Sequence, residues 1–426
     1  MITRAFTGGA GTGKTTSLLR ELEAHLVAHP LGVGQNVLAL TFMHGSRNRL
    51  AERLSKSSAR RHCDCMTLDR FAWEICRRWR SRLRASGMTP PDSEVPNYDA
   101  TCEAAGQLLA SSDVAGWVAV RYPVIVLDEF QDCAPVRLAL AQRLHGRVTM
   151  LVAADDFQNL NLTQVSPGVA WLQGLNVCEE LTINRRTNDV SLIAAAQAVR
   201  AGAPLVADGN PSFKIINVQA APQAAAFISL TMAPDDNKAS VLLSAVRAGT
   251  SSWVDQVITL VTTKKYRNVG PVPITWETSA ESLADATIAA LGIANGNGRI
   301  SAAAILALPK GTVTTQLARW VEHHRRVLGI TEFGAVDVRF QVRRIVQRIR
   351  SYGALSPNAR RVMTIHQAKN REFPVVILLW PFQVPGNVLL ARRWLYNAIT
   401  RAKRRAIIIV QDPKKARLQV PPFTYP

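Results

Sequence analysis

The chain has 426 residues, of which 47% are hydrophobic, and it carries 51 lysines and arginines against 31 aspartates and glutamates. This length predicts about two to four domains, and no apolar run reaches the roughly 18 residues that a membrane-spanning helix needs. The formal net charge of +20 favours a polyanionic partner such as nucleic acid. A basic surface without function, or an acidic protein partner, fits the same charge.

The start of the chain and its cysteines favour a cytoplasmic location. The first residues lack the basic-then-apolar layout of a secretory signal. The six cysteines are unevenly spread, and we expect free thiols in a reducing cytoplasm. His62, Cys63 and Cys65 have no second pair at ligand spacing, so a zinc or iron–sulfur site is disfavoured.

A phosphate-binding loop is predicted at the start of the chain. The apolar segment 2–6 leads into Gly8-x-x-x-x-Gly13-Lys14-Thr15 and then into a helix-forming segment. Backbone amides of such a loop and the helix N-terminus bind phosphate, Lys14 reaches the β- and γ-phosphates, and the Thr15 hydroxyl holds Mg²⁺. The predicted nucleotide-binding residues are Gly8, Gly9, Ala10, Gly11, Thr12, Gly13, Lys14, Thr15 and Thr16.

An apolar run at 122–127 ends in two acids, Asp128 and Glu129. It is typical of a buried parallel strand whose carboxyl end delivers carboxylates to the phosphate loop. Asp128 is the candidate Mg²⁺ ligand with Thr15, and Glu129 is the candidate base that orients and deprotonates water. Two acids in series favour hydrolysis over phosphoryl transfer to a substrate hydroxyl.

Eight segments in order carry a resemblance to one family. Asp128-Glu-Phe-Gln-Asp132 is similar to the DExxQD motif of UvrD/Rep-type superfamily 1 DNA helicases. Residues 362–376 resemble TIHxAKGxEFxxV, and residues 395–403 resemble LYVAITRAK. With the phosphate loop, the other matching segments are 37–42, 66–71, 151–158 and 181–187.

The resemblance implies the fold and the remaining site residues. The fold class is α/β, with two RecA-like P-loop domains of mainly parallel strands and two small, mostly helical inserts. ATP and Mg²⁺ are the implied cofactors, and Glu372 is implied to lie near the nucleotide. The implied catalytic residues are Lys14, Glu129, Gln158, Arg186 and Arg401, the two arginines acting on the γ-phosphate. The implied nucleic-acid contacts are Thr41, Phe42, Arg47, Thr67, Arg70 and His366.

The chain departs from the family pattern at several positions. No glutamine precedes Gly8, so adenine preference is not predicted. The segment after Gln158 has no aromatic residue, although base stacking contributes about 1–3 kcal/mol per base to single-strand binding. Arg185 stands where the family has tyrosine, and Asn370 replaces a glycine, which is tolerable if the backbone there is left-handed.

The spacing of the motifs predicts a compact domain map. Residues 1–185 form the first motor domain, with a small insert at about 74–120 that includes a basic helix at residues 73–84. Residues 186–426 form the second, with a reduced 2B-like insert at about 266–355. The first is named 1A and the second 2A in this family.

The leading hypothesis is an ATP-dependent translocase or helicase on single-stranded or tailed duplex DNA, moving 3′ to 5′ by resemblance and not bound to membrane. One alternative is a DNA-stimulated ATPase that serves as sensor or motor subunit of a larger complex, with a partner such as a nuclease in recombination or phage defence. The other is a nucleotide-switched, nucleic-acid-binding assembly protein, against which the intact catalytic positions argue.

Overall fold

A computed structural model describes residues 1–57, 62–88, 97–161, 164–205, 209–233, 240–277, 280–293, 298–352, 360–414 and 417–424. The chain divides into two compact units. The larger unit comprises Met1–Ile75, Cys102–Glu277 and Pro357–Pro426, and the smaller comprises Cys76–Thr101 and Thr278–Ser356. In these described ranges, no helix is long and apolar enough to span a membrane.

The first six strands form one parallel sheet in the larger unit. They are β1 (Thr3–Gly8), β2 (Val37–Thr41), β3 (Cys63–Thr67), β4 (Val124–Leu127), β5 (Thr149–Ala154) and β6 (Cys178–Leu181). Their order is β3-β2-β4-β5-β1-β6. Every residue of β2, β4 and β5 is buried, as expected of a parallel sheet covered on both faces.

Between the start of the chain and β6, the described residues form eight α-helices. They are α1 (Lys14–Ala28), α2 (His44–Leu54), α3 (Leu68–Arg78), α4 (Arg80–Ala85), α5 (Tyr98–Leu109), α6 (Ser112–Arg121), α7 (Pro135–Leu144) and α8 (Pro167–Gly174). The basic helix predicted at 73–84 is therefore two helices. The prediction was wrong because Trp79, with φ −104° and ψ 26°, leaves helical geometry between α3 and α4.

The remaining strands form a second parallel sheet and a separate pair. They are β7 (Phe213–Val218), β8 (Ser240–Ser244), β9 (Thr275–Trp276), β10 (Arg299–Ser301), β11 (Glu332–Gly334), β12 (Arg361–Thr364), β13 (Phe373–Trp380) and β14 (Ala402–Gln411). The second sheet has the order β7-β14-β13-β8-β12-β9 and belongs to the larger unit. Two parallel sheets with helices confirm the predicted α/β class.

The later helices pack on the second sheet or form the smaller unit. They are α9 (Val190–Ala201), α10 (Ala221–Met232), α11 (Ser252–Thr263), α12 (Ala280–Ala290), α13 (Ala302–Leu306), α14 (Thr312–Leu328), α15 (Ala335–Tyr352), α16 (Ile365–Ala368) and α17 (Val388–Ile399). Helices α12 to α15 and the antiparallel pair β10–β11 share a core in the smaller unit. Leu317 and Val321 of α14, four residues apart and fully buried, belong to this core.

The sheet edges decide where functional side chains can meet. In the first sheet, the register pairs Thr7 of β1 with Ala154 of β5, so the carboxyl ends of these strands lie side by side. In the second sheet, Phe373 of β13 pairs with Ala402 of β14 at their amino ends. The predicted nucleotide-site residues follow the carboxyl ends of strands in the first sheet or precede the amino ends of β13 and β14 in the second sheet.

Candidate active site

A cavity of about 430 Å³ lies at these strand ends within the larger unit. It combines residues that follow β1, β4 and β5 with residues that precede β13 and β14. Its lining is Gly11, Gly13, Lys14, Thr15, Thr16, Ser46, Arg49, Leu50, Arg53, Asp128, Glu129, Gln131, Ala153, Gln158, Arg185, Arg186, Asn370, Glu372, Arg401 and Lys403. All five predicted catalytic residues, both predicted metal ligands and Glu372 are in this set.

The loop after β1 curls around the side chain of Lys14. The Lys14 Nζ donates to the carbonyl oxygens of Gly8 at 3.0 Å and Gly9 at 2.7 Å, and it lies 3.4 Å from Asp155 Oδ2. Helix α1 begins at Lys14, so its first free amides face the same space. Gly9, Ala10 and Thr12 instead line a smaller pocket of about 170 Å³.

Two glycines of this loop have no room for a side chain. Gly11 has φ +83°, and a Cβ there would lie 2.6 Å from Arg186 Cβ and 2.8 Å from Asn184 Oδ1. Gly8 has φ +139°, and its Cβ would lie 2.3 Å from the Leu181 carbonyl oxygen. The loop shape therefore depends on glycine at both positions.

The segment after β6 fastens Arg186 to this loop. The Arg185 amide donates to Gly11 O at 2.7 Å, and Asn184 Nδ2 donates to Ala10 O at 3.2 Å. Arg186 then forms an ion pair with Glu372 at 2.9 Å and donates to Thr400 O at 3.0 Å. Its guanidinium is thereby held on the cavity wall.

Asp128 and Thr15 form the oxygen-rich corner of the cavity. The Thr15 hydroxyl donates to Asp128 Oδ2 at 3.1 Å. Burial, and then repulsion by Glu129, raises the pKa of Asp128 to about 6. A hydroxyl and a carboxylate are hard oxygen donors, and this donor set fits Mg²⁺, which would offset the charge that burial disfavours.

Glu129 has an unusual backbone and a fixed side chain. Its φ of 61° is left-handed, which costs roughly 1–2 kcal/mol for a residue with a Cβ. Gln131 Nε2 donates to Glu129 Oε2 at 2.5 Å, and Gln131 Oε1 accepts the Asp155 amide at 2.9 Å. The glutamine of the Asp128-to-Asp132 segment thus orients the candidate base.

Arg401 is almost fully buried, with 2% of its surface exposed. Its guanidinium donates to Asn397 O at 3.2 Å, to Arg371 O at 3.5 Å and to the Thr400 hydroxyl at 3.3 Å. Burial and the nearby Arg186 lower its pKa to about 10, which still leaves it cationic at neutral pH.

Glu372 is the acidic partner of the cations at this wall. Besides its ion pair with Arg186, Glu372 forms a second ion pair with Lys403, whose Nζ lies 3.2 Å from Glu372 Oε2. Burial alone would raise the pKa of Glu372, but Arg186 and Lys403 hold it below the ordinary value. Glu372 therefore remains an anion and neutralises part of the positive wall.

A buried carboxylate, Asp155, organises the back of the site, and the sequence did not indicate its role. Besides its contact with Lys14, the Asp155 carboxylate accepts hydrogen bonds from Arg200 Nη1 at 2.7 Å, Gln158 Nε2 at 2.9 Å and the Tyr396 hydroxyl at 3.3 Å. Burial acts to raise the pKa of Asp155, but Lys14 and Arg200 lower it below the ordinary value. The predicted catalytic Gln158 is thus bound to Asp155 on the cavity wall.

The predicted nucleic-acid contacts of the first sheet lie outside this cavity. Thr41 and Thr67 pair at the ends of β2 and β3, with 0% and 7% of their surfaces exposed. Phe42 packs edge-on against Phe130, with ring centroids 6.0 Å apart. The assignment of these residues as DNA contacts stays a prediction.

The other three predicted contacts have more accessible side chains. Arg47 donates to Asn48 Oδ1 at 2.5 and 3.1 Å. Arg70 pairs with Glu74 at 2.9 Å. His366, in α16, is exposed and lies edge-on to Trp394, with centroids 5.6 Å apart.

Two family models match the chain. Residues 3–163 match an AAA domain, and residues 360–409 match a UvrD-like helicase C-terminal domain. These two matches support the resemblance to UvrD-like superfamily 1 helicases. No curated protein matches it significantly. The UvrD-like domains suggest ATP-dependent DNA helicase activity, and the family implies nucleotide use with a divalent metal and binding of nucleic acid.

Gly11→Ala tests the loop shape of this UvrD-like protein. We expect loss of ATP binding, because the new methyl group would collide with Arg186 and Asn184 at a positive φ. Titration with a fluorescent ATP analogue measures it. Gly106→Ala in α5 is the matched control, since a Cβ there meets nothing within 4 Å and should leave binding unchanged. Parent-like affinity in Gly11→Ala would contradict the described loop conformation.

Proposed function

We propose that this protein is an ATP-driven motor that moves 3′ to 5′ along single-stranded DNA and unwinds tailed duplexes. The observation that carries the proposal is the charge of the 430 Å³ cavity. Its described lining has seven cationic side chains against three carboxylates. Such a surplus suits the polyanionic tail of a nucleoside triphosphate.

The cavity residues support specific roles in hydrolysis. Lys14 and the amides at the start of α1 bind the β- and γ-phosphates. Thr15 and Asp128 would hold Mg²⁺, which supplies charge neutralisation at the phosphates. Glu129 accepts a proton from water as the water oxygen attacks the γ-phosphorus. The bond to the bridging oxygen breaks, and ADP and phosphate are the products.

Arg186 and Arg401 act on the charge that develops during this step. Arg401 precedes β14 of the second sheet, while the phosphate loop follows β1 of the first. Guanidinium groups placed there favour the transition state over the bound substrate. Hydrolysis consequently depends on how the two sheets meet, which is the physical basis for coupling it to movement.

A buried ion pair supports this coupling. Lys369 Nζ lies 2.6 and 2.7 Å from the carboxylate oxygens of Asp132. Asp132 ends the short helical segment after β4, and Lys369 directly follows α16, where its amide donates to His366 O. We propose that this ion pair couples movement of the segment after β4, at the nucleotide, to movement of α16, which contains the predicted DNA contact His366.

The proposed domain map assigns residues 1–185 and 186–426 to the two motor domains. In this proposal, the smaller compact unit supplies reduced forms of both family inserts. Its four helices α12 to α15 correspond to the insert predicted at about 266–355.

A second function, that of a DNA-stimulated motor or sensor subunit, is favoured by one observation. After Gln158, the side chains of Asn159 and Leu160 are buried, and no ring in that segment is available to stack on a base. Weak strand binding would limit unwinding by the chain alone. In that case a partner, such as a nuclease, supplies the additional contacts that hold the DNA.

Unwinding of a tailed duplex by the purified chain distinguishes the two functions. With a 3′ tail and ATP, we expect strand separation and DNA-stimulated hydrolysis, since motor and DNA contacts are in one chain. A 5′-tailed duplex is the polarity control. Stimulated hydrolysis without strand separation on either substrate would replace the helicase proposal by the motor-subunit one.

Glu129→Gln tests the candidate base. The isostere keeps the hydrogen bonding of the side chain but cannot take a proton from water, so turnover should stop while ATP binding persists. Steady-state hydrolysis and nucleotide titration measure the two properties. Lys14→Ala is the contrasting variant, because it should lose binding as well. Near-parent hydrolysis by Glu129→Gln would remove Glu129 from the mechanism.

Arg401→Ala tests the arginine that precedes β14. We expect kcat at saturating DNA to fall by about a hundredfold or more, the usual cost of losing a stabiliser of transition-state charge. ADP affinity should change much less, because the residue acts on the transition state.

The control for this variant is Arg404→Ala, which removes the same charge from an exposed position of β14. Thermal unfolding of both variants shows whether the buried Arg401 is also needed for folding, and Arg401→Lys keeps the charge without the planar fork. An unchanged kcat in Arg401→Ala would retire its catalytic role.

A further inference from the structure

One face of helix α2 forms part of the wall of the nucleotide cavity. Ser46, Arg49, Leu50 and Arg53 line it, at the spacing that places residues on one side of a helix. The Arg49 side chain therefore faces this cavity. No family motif on which the nucleotide site was predicted includes Arg49.

Arg49 is joined to the loop that follows α16. Its Nη1 donates to the carbonyl oxygen of Asn370. The Asn370 Nδ2 in turn donates to the Ser46 hydroxyl at 2.9 Å. Asn370 has φ +68°, the left-handed conformation in which asparagine is tolerated in place of glycine. These two contacts, the Arg49–Asn370 bridge, connect α2 of the first sheet region to the loop before β13.

The electrostatic surroundings place Arg49 at the hydrolytic end of the cavity. Burial lowers the pKa of Arg49, and the carboxylates of Glu129 and Asp128 act in the opposite direction. Arg53 and Glu372 are the other charged groups that act on it. Glu129 and Asp128 are the candidate base and metal ligand, so the terminal phosphate would lie next to Arg49.

The guanidinium of Arg49 has donors to spare. A guanidinium carries five N–H groups. In the part of the chain that the structure describes, the side chain of Arg49 makes one hydrogen bond, to Asn370, and no ion pair. Two other cations of the wall, Arg186 and Lys403, are already paired with Glu372.

We propose that Arg49 is a third arginine of the nucleotide site, which donates to oxygens of the terminal phosphate of a bound nucleoside triphosphate. The Arg49–Asn370 bridge then reports the presence of that phosphate to the loop beside His366 and Lys369. This inference rests on the proposed function, because it assigns a further catalytic residue to the same hydrolytic site. Arg49 lies between β2 and β3 of the first sheet, whereas Arg401 precedes β14 of the second.

The coupling arises because one guanidinium, that of Arg49, contacts both the phosphate and the carbonyl oxygen of Asn370. A guanidinium that binds phosphate in a forked geometry is fixed in direction. Because Asn370 O accepts from the same group, the position of the loop becomes linked to whether a γ-phosphate is held. ADP lacks that phosphate, so Arg49 should distinguish triphosphate from diphosphate.

Binding of two nucleotides by Arg49→Ala tests the phosphate contact. We expect the affinity for a non-hydrolysable ATP analogue with Mg²⁺ to fall about tenfold or more, as for a lost charge-assisted hydrogen bond, and ADP affinity to change less than about twofold. Isothermal titration calorimetry measures both. The kcat at saturating DNA should fall at least about tenfold as well.

Two further variants control for charge and for folding. Lys56→Ala removes the same charge just beyond α2, where Lys56 pairs with Glu52 at the surface, and should leave both affinities unchanged. Arg49→Lys keeps the charge but not the fork and should recover only part of the analogue affinity. Equal losses for both nucleotides, or no loss for either, would overturn the contact with the terminal phosphate.

Asn370→Gly tests the bridge separately. Glycine accepts the positive φ and keeps the carbonyl that accepts Arg49, but it removes the amide that binds Ser46. We expect near-parent affinity for the analogue with a reduced ratio of hydrolysis rates with and without single-stranded DNA. An unchanged ratio would overturn the coupling. If the parent protein bound both nucleotides but did not hydrolyse ATP, the proposed function would fail, while the calorimetry would still decide the role of Arg49.

Discussion

The proposed nucleotide site depends on one buried carboxylate at the end of β5. Asp155 is 1% exposed and binds Lys14 of the phosphate loop, Arg200 of α9 and the Tyr396 hydroxyl of α17. A buried carboxylate is costly unless it is paired, and removing one partner of such a group costs about 3–5 kcal/mol. Since the Tyr396 hydroxyl also accepts the amide of Ala10 at 2.5 Å, this cluster fixes the loop backbone as well as its lysine.

The cavity arises where opposite edges of two parallel sheets meet. The first sheet offers its carboxyl edge, where Asp128 and Asp155 follow their strands, and the second offers its amino edge, where Glu372 and Arg401 precede theirs. On the first edge alone, the adjacent carboxylates of Asp128 and Glu129 would repel one another. Joined, the acids and the guanidinium groups neutralise one another in part, and the remaining positive charge has the sign needed to hold phosphate.

The local parts of this arrangement could be predicted from the sequence, and the distant ones could not. The phosphate loop and Asp128 could be predicted because their functional residues are adjacent in the sequence and directly follow a predicted strand. Asp155 stands inside a recognised segment, but its partner Arg200 is 45 residues away and carries no local pattern. Arg49 was missed for a related reason, since only the packing of α2 decides which arginines of a basic helix face the cavity.

The absence of an aromatic residue after Gln158 has a structural counterpart. Leu160 is 3% exposed, and its carbonyl oxygen accepts the indole N–H of Trp394 at 3.2 Å. Trp394 is itself 7% exposed and lies beneath the ring of His366. The indole of Trp394 is therefore buried in packing against the segment after Gln158. The accessible ring beside it is the imidazole of His366. Partial desolvation, with the nearby Arg247 and Lys369, lowers the pKa of His366, so this ring is mainly neutral at pH 7.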